Sequence, residues 1–153
     1  MIEAKAALAI AETVLEKTRA AMQQGDSETF ISFFNSPQRF ETLSGDFLVR
    51  DVAGMREQIK QVCAENARLG VTRIKRTCIE AFSKSPNEID CVYSTSLYAG
   101  DLLARAPHTT YITLGLIDDA WKILYTMYGA EPSESTTDAL LRRAAAKPML
   151  TLV

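Results

Sequence analysis

Along residues 108–128, HTTYITLGLIDDAWKILYTMY, apolar side chains recur with period two in two runs separated by Asp118 and Asp119. In the first run Thr110, Ile112, Leu114 and Leu116 point one way and Thr109, Tyr111, Thr113 and Ile117 the other, the alternation of a pleated strand. In the second, Trp121, Ile123, Tyr125 and Met127 share one face, and Lys122, Leu124, Thr126 and Tyr128 share the opposite one. The two aspartates, whose short side chains bond local backbone, mark a tight hairpin turn. Both faces of this hairpin are largely apolar. The sheet must therefore be covered twice, by helices or a partner chain on one side and by something else on the other.

A different period governs the N-terminal part. Over residues 2–22, Ala4, Ala7, Leu8, Ala11, Val14, Leu15, Thr18 and Met22 recur at steps of three and four, which predicts a long amphipathic helix. Glu3, Lys5, Glu12, Glu16, Lys17 and Arg19 fall outside that stripe, and its alanines permit close approach to a curved sheet. Gly25 supplies a stop, and Asp26 or Ser27 an N-cap for a second helix. That helix is short, with Phe30, Phe33 and Phe34 on one face until Ser36-Pro37 ends it; the three rings read as core or lid rather than as an aromatic ligand site. Residues 39–50 predict two short strands about a Ser-Gly-Asp turn. Asp51 then caps a third helix over residues 52–69, which Gly70 ends. Its stripe of Met55, Ile59, Val62, Cys63 and Leu69 has one polar member, Asn66, either a hydrogen-bonded core residue or a polar contact inside a pocket.

Beyond Gly70 the pattern is that of strands. Residues 71–82 alternate imperfectly, with Ile74, Cys78 and Phe82 on one parity and Val71, Ile79 and Ala81 on the other, a break that a mid-strand bulge reconciles. After a turn over residues 83–87, Ile89, Cys91, Tyr93, Thr95 and Leu97 share one face of a strand over residues 88–98, and a loop over residues 99–107 leads to the hairpin. Past Gly129 the polar stretch EPSESTT is a connector. Thr137 caps a last helix over residues 138–147, and Met149, Leu150, Leu152 and Val153 form an apolar tail that docks on the domain or on a second subunit. The organisation expected is one α+β domain over residues 1–130 and a linker, helix and tail over residues 131–153.

A chain of 153 residues buries roughly two-thirds of its unfolded surface, enough for a core without staples. The net charge of -2 and pI near 5.5 offer no basic field for a phosphate backbone, so no nucleic-acid partner is expected. The densest basic group is Arg73, Lys75 and Arg76; Arg73 and Lys75 share a face, which reads as a solvated outer sheet face rather than an anion site. Cys63, Cys78 and Cys91 have no metal-ligand spacing and read as buried thiols of a reducing compartment, so neither a metal nor another cofactor is expected. Charges within residues 1–17 interrupt any signal peptide or membrane span, giving a cytoplasmic location by default and no membrane partner.

Two helices, a short β segment, a third helix and then long antiparallel strands form an order similar to the nuclear transport factor 2-like superfamily, also called SnoaL-like or ketosteroid-isomerase-like. The local matches are Gly25-Asp26 before the second helix, Gly54 near the start of the third, and Asp118-Asp119-Ala120-Trp121-Lys122-Ile123, which looks like the family's D-G-x-W-[KR]-I pattern with the glycine replaced. The resemblance covers about residues 4–128. It implies a strongly curved antiparallel sheet packed on N-terminal helices, the cone-shaped, cystatin-like arrangement, and commonly a homodimer through the outer sheet face. It does not imply a reaction, because the superfamily includes isomerases, cyclases, dehydratases, epoxide hydrolases and non-catalytic modules.

A ketosteroid-isomerase-like site calls for an early-strand aspartate and a tyrosine with a second acid. The nearest aspartate, Asp46, lies in the Ser-Gly-Asp turn, and that site does not transfer. His108, the chain's one histidine, could serve as a general base beside a tyrosine, yet its place at a strand start after Pro107 suits a solvated or hydrogen-bonded edge residue. What remains is Tyr93, Tyr111, Trp121 and Tyr125, amphipathic rings on adjacent strands that can line one concave wall and contact a small apolar ligand, or fill the core or a dimer interface. The leading expectation is a homodimeric domain with a mostly apolar pocket for a small molecule. The alternatives are an isomerase, cyclase or dehydratase with acid–base groups in that pocket, and a non-catalytic interaction module.

Overall fold

The computed structural model describes residues 1–42, 45–130 and 150–152; the expected connector and helix of residues 131–149 lie outside these. The chain opens with α1 (Ala4–Gln24) and α2 (Ser27–Ser32), then forms β1 (Phe34–Thr42), β2 (Gly45–Val49) and α3 (Val52–Arg68). Strands β3 (Arg73–Ser85), β4 (Glu88–Ala99), β5 (Leu102–Leu103), β6 (His108–Ile117) and β7 (Ala120–Ala130) follow, with β8 (Leu150–Leu152) at the end. Helix ends fall where capping chemistry puts them. Gly25, at φ 73°, closes α1; Asp26 Oδ1 accepts the Thr29 N–H at 3.1 Å; Asp51 Oδ1 accepts the Gly54 N–H at 2.9 Å; and Gly70, at φ 72°, follows α3. Helix α2 is shorter than its phenylalanines suggest. Phe34 already belongs to β1, because the Phe33 carbonyl accepts the Ile123 N–H at 2.7 Å and the sheet ladder outcompetes a further helical turn.

The strands form one curved, unclosed sheet in the order β3-β4-β6-β7-β1-β2-β8, with the two-residue β5 beside β4 inside what reads from sequence as a plain loop. Antiparallel pairing, as expected, joins β3, β4, β6 and β7, and also β1 to β2; β1 runs parallel to β7 and β2 parallel to β8, so the sheet is mixed. The broken alternation of β3 is a bulge at Ile79, between the pairs Cys78–Tyr93 and Glu80–Val92. A second bulge, at Leu124, separates the pairs Thr113–Tyr125 and Leu114–Ile123 and carries no signature in the sequence.

The β6–β7 turn is made by Asp118 and Asp119, both left-handed at φ 49° and 63°, the backbone that lets a two-residue hairpin follow strand twist. An L residue there costs roughly 1–2 kcal/mol; glycine removes that cost but loses roughly 0.5–1 kcal/mol of unfolded-state freedom. Asp119→Gly is therefore expected to stabilise the fold by about 0.5 kcal/mol, read as a higher urea midpoint; a lower midpoint would contradict this account of the turn.

Helix α1 lies on the inner face of the sheet. Its Ala7, Ala11, Val14 and Leu15 pack with Ile89, Cys91, Tyr93, Ile112, Leu114 and Ile123 in the main core, while Leu8 faces outward. A second cluster joins Ala21, Phe30, Ile31, Val49, Met55 and Ile59, bringing α3 over the other end of that face. On the opposite face Val92, Tyr111 and Met127 are buried together, with Tyr125 against them. No helix among the described residues is long and apolar enough to cross a membrane.

Candidate functional site

Between the inner face of the sheet and α3 lies a cavity of about 850 Å³, within the range of small-molecule sites. Ile74 and Arg76 of β3, Tyr93, Thr95 and Leu97 of β4, and His108 and Thr110 of β6 share this face because their positions pair across the ladders. Met55, Ile59 and Asn66 of α3 close it from above, and the exposed Gln61, Val62 and Arg105 stand at its rim. One wall is a run of rings. Phe30 to Phe34 is 5.1 Å between centroids, Phe34 to Phe40 is 6.3 Å, and Phe40 stacks on Tyr128 at 6.1 Å.

The opposite wall is polar and positive. Arg76 Nη1 donates to Thr18 Oγ1 at 2.8 Å, and that hydroxyl donates in turn to the Val14 carbonyl at 2.8 Å, so α1 holds the guanidinium in place. The Arg76 guanidinium carbon stands 5.2 Å from the centre of the Tyr93 ring. Arg76 Nε and His108 Nδ1 are both buried and meet no hydrogen-bond partner among the described residues. Burial, aided by the charges of Arg105 and Arg76, depresses the His108 pKa to about 4, which leaves the imidazole neutral at neutral pH. Burial also raises the Tyr93 and Tyr128 phenols, so both remain protonated hydrogen-bond donors. No Asp or Glu is among the described residues lining the cavity.

The four rings expected on one wall are divided. Tyr93 lines the cavity; Trp121 lines a smaller cleft with Ile10, Val14 and Phe33; Tyr111 and Tyr125 pack edge to face, 6.0 Å apart, on the other side of the sheet. Tyr111 faces away by its own parity on β6, one position from the Thr110 that pairs with Tyr93, and the Leu124 bulge turns Tyr125 to that same side, since one extra residue reverses the faces of the β7 positions that follow it. The bulge puts Tyr128, on the opposite parity from Tyr125, into the cavity in its place. Asn66 takes the pocket alternative. His108, expected at a solvated or hydrogen-bonded edge, lines the cavity with its Nδ1 unpartnered. Arg73 and Lys75 are exposed as expected, whereas Arg76, one parity away, turns inward; the odd position in a basic triplet was the available signal.

Asp46 is buried in β2 on the face opposite Phe47 and within 3.5 Å of Arg39, away from the cavity. Cys78 Sγ and Cys91 Sγ lie 3.6 Å apart between β3 and β4. The Cys91 hydrogen bond lowers the Cys78 pKa, while the same contact and burial raise that of Cys91. Among the described residues no group of three or more His, Cys, Asp or Glu could hold a metal ion.

No family model and no curated protein sequence matches the chain. Solved structures do. An NTF-2 like protein of unknown function from Shewanella oneidensis superposes with TM-score 0.64 at 15% identity, over 80% of this chain and 98% of that one. A domain of unknown function with a cystatin-like fold from Nostoc punctiforme gives TM-score 0.68 at 12% identity, over 93% and 86%. A ketosteroid isomerase-like protein from Erwinia carotovora atroseptica gives 0.55 at 12%, over 81% and 97%. Three helices laid on one curved sheet, in this strand order and with these neighbours, give the chain the nuclear transport factor 2-like, cystatin-like fold.

Proposed function

We propose that the protein binds a small, mostly apolar molecule in the cavity between α3 and the sheet. The observation that carries this reading is the cavity itself: about 850 Å³, walled by Phe30, Phe34, Phe40, Met55 and Ile59, with a few polar groups gathered at one side. An apolar wall supplies affinity, and sparse fixed polar groups supply orientation. The acid–base alternative draws on His108 sharing the cavity with Tyr93 and Tyr128. A pKa near 4 makes that imidazole a weak base at neutral pH, and no carboxylate among the described lining residues stands ready to assist it, so binding is the better-supported reading.

The test uses N-phenyl-1-naphthylamine, a neutral apolar probe whose fluorescence rises on leaving water. Binding to the full chain is expected, and Val62→Trp, a substitution at an exposed rim position, is expected to weaken it about tenfold by closing the mouth without disturbing the core. Probe binding that is absent, or indifferent to Val62→Trp, would remove the cavity from the account of function.

A further inference from the structure

We propose that the natural occupant of the cavity is a monocarboxylate, its acid group seated on the Arg76 guanidinium and its apolar body against the Phe30, Phe34, Phe40 and Tyr128 rings. This rests on the cavity being a binding site. Arg76 is the cation that the three-residue basic group turns inward, and it is fixed rather than loose, because Thr18 accepts from Nη1 at 2.8 Å while anchored to α1 through Val14. No carboxylate among the described residues lies within ion-pair distance of it, although Arg19, Arg39, Arg56 and Arg68 each have one. A guanidinium held among aromatic rings without a counter-ion is costly, and its planar fork matches the two oxygens of a carboxylate.

The remaining polar groups suit the same ligand. The phenols of Tyr93 and Tyr128 and the neutral imidazole of His108 can each donate a hydrogen bond, and Arg105 at the rim adds a second positive charge that guides an anion inward. An amine finds no described acid in the lining to receive it. Arg76 is the one cation inside the cavity, half-buried with its Nε enclosed, and Arg105 stands exposed at the rim, so a single negative charge is matched at the seat while the second charge of a phosphate dianion would not be.

The experiment compares 1-naphthylacetic acid and octanoic acid, each with its primary amide, by titration calorimetry on the full chain. The acids are expected to bind at least about tenfold tighter than the amides, with Arg76→Gln abolishing the preference and Arg76→Lys retaining part of it. Circular dichroism checks that the variants fold; should they not, the acid-to-amide ratio of the unaltered protein decides. Acids no tighter than amides, including failure of both, overturn the carboxylate assignment while N-phenyl-1-naphthylamine binding still upholds the cavity. Failure of that probe as well overturns the reading beneath it. A preference that survives Arg76→Gln overturns the role given to Arg76.

Discussion

Leu114→Ala is expected to destabilise the fold by about 3 kcal/mol, and Ile117→Ala, three residues along the same strand, by less than about 0.5 kcal/mol. Leu114 is 0% exposed and sits among Ala7, Ala11, Ile89, Ile112 and Ile123, so truncation leaves a void that neighbouring backbone cannot fill, whereas Ile117 is 36% exposed beside the Asp118 turn. Urea unfolding of the two variants checks this. Equal losses would mean that the main core does not lie between α1 and the middle of β6. The prediction also bears on the site, since Leu114 and Thr110 share one face of β6. The strand is anchored by the core at one end, and at the other it offers wall to the cavity.

Much of this arrangement could be read from residue order because the signals were local. Gly25, Asp26, Asp51 and Gly70 end or begin helices through their own backbone or side-chain bonds, and Asp118-Asp119 makes a turn whatever surrounds it. The Ile79 bulge was legible because it broke an alternation of polar and apolar residues. The Leu124 bulge was not. Both parities of β7 are apolar, so shifting the register leaves the pattern unchanged, and only the pairing with β6 decides which side Tyr125 and Tyr128 take. The candidate site failed there for Tyr125, which went to the far face; Tyr111 lies on that face by the parity of β6 itself, and Trp121, ahead of the bulge, lines a separate cleft. The parallel pairing of β1 with β7 was equally invisible, because it joins segments nearly ninety residues apart, as in Phe34 with Ile123, through backbone bonds that no short pattern encodes. Arg76 was hidden differently. In a basic triplet, the two exposed members supply an adequate explanation for all three.

The polar wall makes a prediction in solution. Between pH 7 and pH 4.5 the protein is expected to lose about 1–2 kcal/mol more stability than its His108→Gln variant, after allowance for the imidazole's partial contact with water. The sign follows from proton binding. In the unfolded chain His108 takes up a proton as pH falls through about 6.5, while in the folded chain burial beside Arg105 and Arg76 delays this until about 4. Between those values the unfolded state binds more protons, so acid favours unfolding. The contribution is full above the unfolded value, shrinks as pH drops, and levels off below the folded one. The groups facing the imidazole's cavity are Arg76 from β3, Tyr93 from β4, Tyr128 from β7 and Arg105 from the rim; burial raises both phenols, so they stay protonated throughout this window. The measurement is urea unfolding at several pH values on both proteins, and parallel pH profiles would show that His108 is solvated rather than enclosed. A bound carboxylate adds a second consequence. Its negative charge beside the imidazole raises the folded-state pKa, so saturating 1-naphthylacetic acid is expected to narrow the difference in acid-induced loss between the unaltered protein and His108→Gln, a comparison in which the ligand's own protonation cancels.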